Sequence, residues 1–494
     1  FGYPGGQAID LFDALYDQDN IEVILPRHEQ ALIHAADGYA RSTGKVGVCL
    51  VTSGPGATNL VTGIATANYD SVPLVCFTGQ VPLNLMGNDA FQEVDIVGVT
   101  RGICKYAVTV RDREELPRII KEAFYIASTG RPGPVVVDLP KDIQQELGTE
   151  EYPTTVNIRG YKPNDAVHMR QIKKAVRLLH DAKRPLFLVG GGVNIAHANR
   201  EMTQLVEKTN VPIITTIMGK GAVSTQHNMY LGNIGIHGSY AANHAVTDCD
   251  LLFSIGTRFN DRITGKTSEF AKNATIVHID IDTAAISKNV QVDVPIVADA
   301  KEAVSKMLEY VSECETKKWL ATIKEWKEEH PLMMKKKPIM TPQDVIETIN
   351  RIFDEAIIVT DVGQHQMFTA QFIEITEKKK LLMSGGLGTM GYGLPGAIGA
   401  QIGNPDTPVI SISGDGGVQM NIQELQWVKR ENIPVKMIVM NNEALGMIRH
   451  LQRDYFDCVY ADPSDGSGFS SCDFTDVAQA YGIPAKRIQG EDVE

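Results

Sequence analysis

The sequence predicts an α/β protein of three doubly wound domains with mainly parallel sheets. Short runs that are apolar throughout, such as Val46–Val51 and Pro185–Val189, alternate with stretches of helical apolar spacing. Uniformly apolar strands are those buried on both faces of a parallel sheet, whereas half-exposed strands alternate. Glycine clusters follow several runs, at Ser53-Gly54-Pro55-Gly56, Gly190-Gly191-Gly192 and Gly414-Asp415-Gly416. The C-terminal ends of strands are where open α/β sheets form their ligand crevice.

Length and composition agree. A chain of 494 residues has room for about three domains, and 43% hydrophobic with 22% charged residues is ordinary for a globular protein. A net charge of −13 argues against an electrostatic nucleic-acid footprint. No uninterrupted apolar stretch is long enough to span a bilayer. Cys49, Cys76, Cys104, Cys249, Cys314, Cys458 and Cys472 are scattered without a C-x-x-C pair and read as small buried hydrophobes of a reducing compartment.

The first domain, 1–150, offers strands at Ile21–Leu25, Val46–Val51, Val72–Phe77 and Pro134–Asp138, with helices over His28–Arg41 and from Ala57. Phe1 leaves no room for a strand ahead of it, so the domain's first strand is expected to be missing, as is a tail beyond Glu494. A targeting peptide is therefore left open. The polar stretch Thr149–Asp165 reads as a linker. The second domain, 166–310, opens with a helix over Met169–Leu179, then strands at Pro185–Val189, Pro212–Thr216, Leu251–Ile255 and Thr275–Asp280. The charged stretch Glu315–Lys337 is a second linker, part of it helical. The third domain, 338–494, has strands at Ala356–Thr360, Val409–Ser413 and Val435–Met440, an amphipathic helix over Asn421–Asn432 and a last helix over Phe474–Tyr481.

Chemistry enters at Gly414-Asp415-Gly416, which follows one strand, and Asn441-Asn442, which ends the next. An Asp and an Asn at neighbouring strand ends are two hard oxygen donors, and magnesium takes one or two such ligands with phosphate and water for the rest. Gly414 and Gly416 let backbone come close to a diphosphate. Asp-Gly is also an ordinary turn dipeptide; the flanking strands and the Asn-Asn pair shift the reading to a cofactor site.

This arrangement resembles the thiamin diphosphate signature, and other stretches narrow it. They are Phe1–Gly6, Arg27–Gln30, Thr52–Asn59, Asp89–Glu93, Gly130–Pro134, Leu139–Asp142, Gly256–Arg262, Gly363–Met367, Gly385–Gly391 and Asn441–Met447. Nearly end to end and in order, the chain resembles the catalytic subunits of acetohydroxyacid (acetolactate) synthases. The resemblance implies a thiamin diphosphate-binding fold around a central FAD-binding-type domain, with thiamin diphosphate, Mg2+ and FAD as cofactors. Asp415, Asn442 and the Ala444 carbonyl become the metal ligands. Glu29, which alone reads as a helix-opening carboxylate, becomes the group that hydrogen-bonds N1′ of the cofactor pyrimidine and relays the C2 proton. Met390, otherwise core filler, becomes the wedge between the two cofactor rings.

The same resemblance places Gln364, His365, Gly388, Gly416, Gly417 and Met447 at the cofactor, with Gly391 also close to its ring. Phe91, Gln92 and Lys141 go to the substrate channel, contributed by a neighbouring subunit, and Gly6 joins the catalytic set. Arg262 receives the carboxylate of the second 2-oxo acid, a task suited to a planar guanidinium. Arg131, Gly190, Gly191, Gly192, His237, Gly238, Arg258, Asp280, Asp282 and Asp299 match the FAD set. Three positions depart from the family: Asn260 within Arg258–Arg262, Gln7 after the double glycine, and Leu451, where many members carry a Trp beside the second-substrate pocket.

The implied reaction is decarboxylation of pyruvate and carboligation to pyruvate or 2-oxobutanoate, giving 2-acetolactate or 2-aceto-2-hydroxybutanoate for branched-chain amino acids. The implied assembly is a homodimer or homotetramer with a small regulatory subunit, in a bacterial-type cytoplasm, with no nucleic-acid or membrane partner. A flavin-dependent pyruvate oxidase is the alternative within the superfamily. A non-catalytic nucleotide-binding protein of the same fold is the alternative outside it, and the joint presence of Glu29, Asp415 and Asn442 speaks against that.

Overall fold

A computed structural model describes residues 1–149, 151–163, 166–334, 339–457 and 469–489. Cys458, parts of both expected linkers (residues 150, 164–165 and 335–337) and the chain's last residues, 490–494, lie outside the described residues.

Three sheets form among the described residues, in the three stretches expected. The first holds β1 (Gly2–Tyr3), β2 (Gly47–Val51), β3 (Leu74–Gln80), β4 (Tyr106–Thr109) and β5 (Pro134–Pro140), in the order β1-β2-β3-β5-β4. The second holds β6 (Pro185–Val189), β7 (Ile213–Thr215), β8 (Tyr230–Asn233), β9 (Leu251–Ile255), β10 (Thr275–Asp280) and β11 (Val294–Val297), in the order β11-β10-β9-β6-β7-β8. The third runs β13-β12-β14-β15, with β12 at Ala356–Thr360, β13 at Lys379–Met383, β14 at Val409–Gly414 and β15 at Lys436–Met440. The described pairings are parallel, and Val48, Cys49 and Leu50 face Val75, Cys76 and Phe77 across β2 and β3. Strands β3, β5, β6, β9 and β12 are buried almost throughout, as their unbroken apolar runs require.

The chain divides into two compact units. The first joins Phe1–Lys162 to Ala356–Gln366 and Leu382–Arg487, and so contains the first sheet and most of the third. Its two halves meet where the helix Glu29–Thr43 packs on the helix Gly393–Gly403. The contact is backbone to backbone. A Cβ on Gly38 would lie 2.1 Å from the Gly396 carbonyl oxygen, and one on Gly399 would lie 1.8 Å from that of Ala35. Beside it an ion cluster is buried. Arg41 Nε donates to Asp37 Oδ1 at 2.6 Å, and Arg41 Nη2 to Asp70 Oδ2 at 2.9 Å. Tyr392 donates its hydroxyl to Asp37 Oδ1 at 2.7 Å. Burial works against the Arg41 charge, but Asp37, Tyr392 and Asp70 outweigh it and hold its pKa above the ordinary value. Asp70 then receives the Gly385 and Gly386 N–H groups at 3.1 and 2.7 Å.

The second unit, Pro163–Glu355 with Met367–Leu381 and Ile488–Gln489, is built on the second sheet. Phe187 and Phe253 meet edge-on at 5.7 Å in one face of its core. Trp319, from the helix Lys317–Glu329, covers the other and donates Nε1–H to the Pro185 carbonyl at 3.1 Å.

Two expectations are corrected. Ile21–Leu25 is not a strand: Ile21 and Val23 are 53% and 39% exposed. The edge of the first sheet is instead Gly2–Tyr3, which pairs with Leu50–Val51, so a strand is present where none was expected. The helix expected over Asn421–Asn432 is split. A helix already begins at Asp415 and ends at Met420, a 3-10 turn spans Ile422–Glu424, and helix resumes over Leu425–Arg430. Asn421 makes the break by turning its side-chain amide to the Gly391 carbonyl, 2.7 Å away. Of the described cysteines, Cys49, Cys76, Cys249 and Cys314 are buried as expected, Cys104 is half-buried and Cys472 is exposed.

The helix contact sets a steric test. Gly399→Ala is expected to cost more than about 4 kcal/mol of stability, because its Cβ meets backbone that no rotamer can move. Gly102→Ala, where a Cβ meets nothing within 4 Å, is the control. Unfolding midpoints of the two variants check this, and an unchanged midpoint for Gly399→Ala would refute the backbone contact.

Candidate active site

In the third sheet the chain leaves β12 for β13 on one side and β14 lies on the other. The reversal falls between β12 and β14, whose C-terminal ends are the position at which doubly wound sheets bind ligands. Residues 361–365 follow β12, Asp415 follows β14 and Asn441–Ala444 follow β15.

Asp361 organises one wall. Its carboxylate accepts the N–H of Val362 at 2.7 Å, of Gly391 at 3.0 Å and of Gly393 at 2.9 Å. Burial raises its pKa against the pull of those N–H groups. A Cβ on Gly417 would lie 2.4 Å from Asp361 Oδ1, so this glycine serves the aspartate. The loop so fixed carries Met390, whose methyl carbon lies 3.4 Å from where a Cβ on Gly416 would stand; Leu445 is on the same side at 2.7 Å. Met390 and Gly416 are thus brought together. Gly388, at φ +74°, faces open space apart from Val362.

Asp415 is 2% exposed, and its Oδ2 is buried without a hydrogen-bond partner. Burial raises its pKa, opposed by the nearby N–H groups of Gly416, Glu443 and Ala444. An orphaned buried carboxylate oxygen costs free energy until a cation or donor meets it. Asn442 donates Nδ2–H to Gln364 Oε1 at 3.2 Å and accepts the Ala444 N–H on Oδ1 at 3.2 Å. Glu443 holds φ +53°, a left-handed conformation that turns the chain between Asn442 and Ala444. A Cβ on Gly446 would lie 2.2 Å from Gln364 Oε1, and Met447 follows on the helix Gly446–Tyr455. His365 is buried against Gly414, and burial lowers its pKa to about 4, so the ring is neutral at neutral pH. Among the described residues no three His, Cys, Asp or Glu side chains converge on a metal position. A cation here would therefore need amide, carbonyl and phosphate oxygens besides Asp415.

On the N-terminal side, Glu29 opens its helix behind the N-cap His28, whose ring Nδ1 accepts the Gln30 N–H at 3.0 Å. Asn59 donates to Glu29 Oε2 at 3.0 Å, and a Cβ on Gly56 would lie 3.5 Å from Glu29 Oε1. Gly54 packs on the backbone of Gln92, itself at φ +61°, and neighbouring Phe91 is 85% exposed. Lys141 Nζ donates to the Gly6 carbonyl at 2.8 Å and pairs with Asp10 at 3.0 Å. Leu451 is 47% exposed on a helix with no buried residue.

The second unit has its own reversal, between β6 and β9. Gly190, Gly191 and Gly192 follow β6, and Gly256, Thr257 and Arg258 follow β9. A Cβ on Gly190 would lie 2.1 Å from the Gly256 carbonyl oxygen and one on Gly192 2.7 Å from Gly256 Cα. These glycines are required by the crossing of two turns, which also brings backbone to the crevice. Asp280 ends β10, and Asp282 and Asp299 act as helix caps, Asp299 accepting the Lys301 N–H at 2.8 Å. The His237 carbonyl accepts from Gln371 at 3.0 Å, and the Gly238 N–H donates to the Gly235 carbonyl at 2.9 Å. Arg258 receives Asn289 on its carbonyl at 3.0 Å. Arg262, 76% exposed in its side chain, lies 3.6 Å from Asp261. Arg131 belongs to the first unit, where Ser71 and the Asn68 carbonyl take its guanidinium at 2.9 and 3.1 Å.

Three family models match this chain: "Thiamine pyrophosphate enzyme, N-terminal TPP binding domain" over residues 1–99, the central domain over 172–307 and the C-terminal TPP binding domain over 361–494. Among curated relatives, the "Probable acetolactate synthase large subunit" of Methanococcus aeolicus is 47% identical, over 99% of this chain and 85% of that protein. That of Methanocaldococcus jannaschii is 48% identical, over 100% and 85%. The "Acetolactate synthase isozyme 3 large subunit" of Escherichia coli K12 is 44% identical, over 98% and 85%.

The orphaned oxygen gives the site's prediction. Asp415→Ala is expected to abolish Mg2+-dependent binding of thiamin diphosphate while leaving any bound flavin in place, since the second sheet is untouched. Calorimetric titration with the diphosphate, with and without Mg2+, checks it, and parental affinity in the variant removes Asp415 from the metal.

Proposed function

The chain belongs to the acetolactate synthase large subunits, thiamine pyrophosphate enzymes, and from that premise we infer the residues by which it condenses pyruvate in branched-chain amino acid biosynthesis. The observation that carries the reading is the buried, unpartnered Oδ2 of Asp415 at the β12–β14 reversal, next to the Asn442–Ala444 turn. Asp415, the Asn442 side-chain oxygen and the Ala444 carbonyl would hold Mg2+, and Gln364 and the neutral His365 would meet the diphosphate. Thiamin diphosphate, when bound, supplies an acidic ring carbon that adds to the pyruvate carbonyl and holds the electron pair left by carbon dioxide.

The protein's part is orientation and one proton relay. Glu29, steadied by Asn59, would hold a proton at the pyrimidine of the bound cofactor, and Met390 would orient that cofactor. Phe91, Gln92, Lys141 and Gly6 border the substrate, with Phe91, Gln92 and Lys141 serving the cofactor of a partner copy. The exposure of Phe91 and of Ile448, Leu451 and Tyr455 on one helix supports such a partner. FAD is proposed for the β6–β9 reversal with the set from Gly190 to Asp299, and Arg262 for the carboxylate of a second acid, either pyruvate or 2-oxobutanoate. Domain limits of 1–150, 166–310 and 338–494 are proposed, with a small regulatory subunit as a further partner and a cytoplasmic setting. Among the described residues no helix is long and apolar enough to cross a membrane.

Glu29→Gln is expected to keep thiamin diphosphate bound and to slow deuterium exchange at its C2 by about 10²–10⁴-fold. Proton NMR of the acid-quenched cofactor measures this, and parental exchange in the variant would take the relay away from Glu29. The acceptor is tested at Leu451. An apolar pocket discriminates one methylene by about 1–3 kcal/mol, and Leu offers less surface than Trp, so Leu451→Trp is expected to raise the yield from 2-oxobutanoate when both acceptors compete. An unchanged product ratio places Leu451 away from the acceptor.

A further inference from the structure

A carboxylate from the C-terminal half reaches the main chain just ahead of Glu29. Glu424 closes the 3-10 turn Ile422–Glu424 and has no exposed surface. Both of its oxygens accept the Arg27 N–H, at 3.2 and 3.0 Å. The His28 N–H and the Gln423 side-chain amide, 3.5 Å from Oε1, complete its surroundings, and the charged group facing it is the Arg27 guanidinium. That guanidinium is in turn tied to the Leu25 carbonyl at 3.1 Å. Burial pushes the Glu424 pKa up to about 7, with Arg27 and the N–H groups pulling it down.

Burying a carboxylate costs free energy unless hydrogen bonds offset it. Here the bonds come from the Arg27 N–H, with the His28 N–H next in line. His28 is the N-cap of the helix whose first residue is Glu29. A shift of the main chain at Arg27 therefore passes directly to the Glu29 carboxylate, whose side-chain anchor is Asn59. The turn that carries Glu424 continues from the helix that begins at Asp415. One short segment thus has the orphaned aspartate at one end and the hold on the Glu29 helix at the other.

We infer that Glu424 is a positioning residue for Glu29, fixing the main chain at Arg27 and His28 so that the Glu29 carboxylate stands in one orientation. The inference rests on the reading of Glu29 as the proton-holding group. Geometry, not charge, is what the position requires. Glu424→Gln keeps a carbonyl acceptor at full reach, whereas Glu424→Asp keeps the charge and falls one methylene short.

The test has two arms. In the cofactor-free protein, hydrogen–deuterium exchange of the Arg27 and His28 amides is expected to stay within about threefold of the parent in Glu424→Gln and to accelerate about tenfold in Glu424→Asp, with other segments unchanged. In protein loaded with thiamin diphosphate and Mg2+, C2 exchange is expected to follow the same order, at unchanged cofactor affinity, since small misplacements are costly to catalysis. The inference is overturned if Glu424→Asp behaves as the parent in both arms, or if Glu424→Gln is the slower variant at C2. Glu29→Gln run alongside separates the two ideas. Were it to leave C2 exchange unchanged, the role of Glu29 would fall while the amide arm still decided whether Glu424 holds the backbone.

Discussion

The first unit leans on the burial of one guanidinium. Arg41 sits between Asp37 and Asp70, both without exposed side-chain surface. An ion taken out of water costs several kcal/mol unless its geometry is well matched. Here the match is complete enough to be used for something else. Asp70 spends its remaining oxygen capacity on Gly385 and Gly386, Arg41 donates to the Met383 carbonyl at 3.0 Å, and Thr66 meets Thr389 at 2.7 Å. The loop that ends in Met390 is thus held from the N-terminal half of the chain. In the opposite direction, Glu424 holds the entry to the Glu29 helix from the C-terminal half. Each half steadies the other's working residue, and the glycine contact at Gly38 and Gly399 lets them come close enough to do so.

The two crevices follow one topological rule and differ in their chemistry. Both open where strand order reverses, between β12 and β14 and between β6 and β9. At the first, the structure leaves a buried carboxylate oxygen without a partner, a local defect of the sort found where stability is traded for ligand binding. At the second, Asp282 and Asp299 are already satisfied by backbone N–H groups, and what the crevice offers is chiefly glycine backbone.

Much of this was legible in the sequence. Strands buried on both faces announce themselves as unbroken apolar runs, so β2, β3, β5, β6, β7, β9, β10, β12, β14 and β15 were visible. Those missed are short or carry polar residues: Gly2–Tyr3, Tyr106–Thr109, Tyr230–Asn233, Val294–Val297 and Lys379–Met383. The misread helix failed for a reason that periodicity cannot see, because Asn421 takes its partner from a loop thirty residues earlier in the chain. The chemistry-bearing motifs were legible because cofactors constrain neighbouring residues. Asp361 directly follows an apolar strand, which was a usable signal. Arg41, Asp70 and Glu424 gave none: Arg41 pairs with Asp70 twenty-nine residues away, and Asp70 and Glu424 each bind main-chain N–H groups of the opposite half of the first unit.

The interleaving of the first unit bears on how the chain is made. The helix Glu29–Thr43 presents a face of bare backbone at Ala35 and Gly38, and its cover, the helix Gly393–Gly403, comes from the far side of the residues that build the second unit. At ribosomal rates of about 5–20 residues per second, the wait between the two is on the order of tens of seconds. During that interval Arg41, Asp37 and Asp70 stand without the Gly385–Gly386 amides and the Tyr392 hydroxyl that later enclose them. The nascent N-terminal part is therefore an unfinished surface until the Gly393–Gly403 helix arrives, while the second sheet can close as soon as its own strands have emerged.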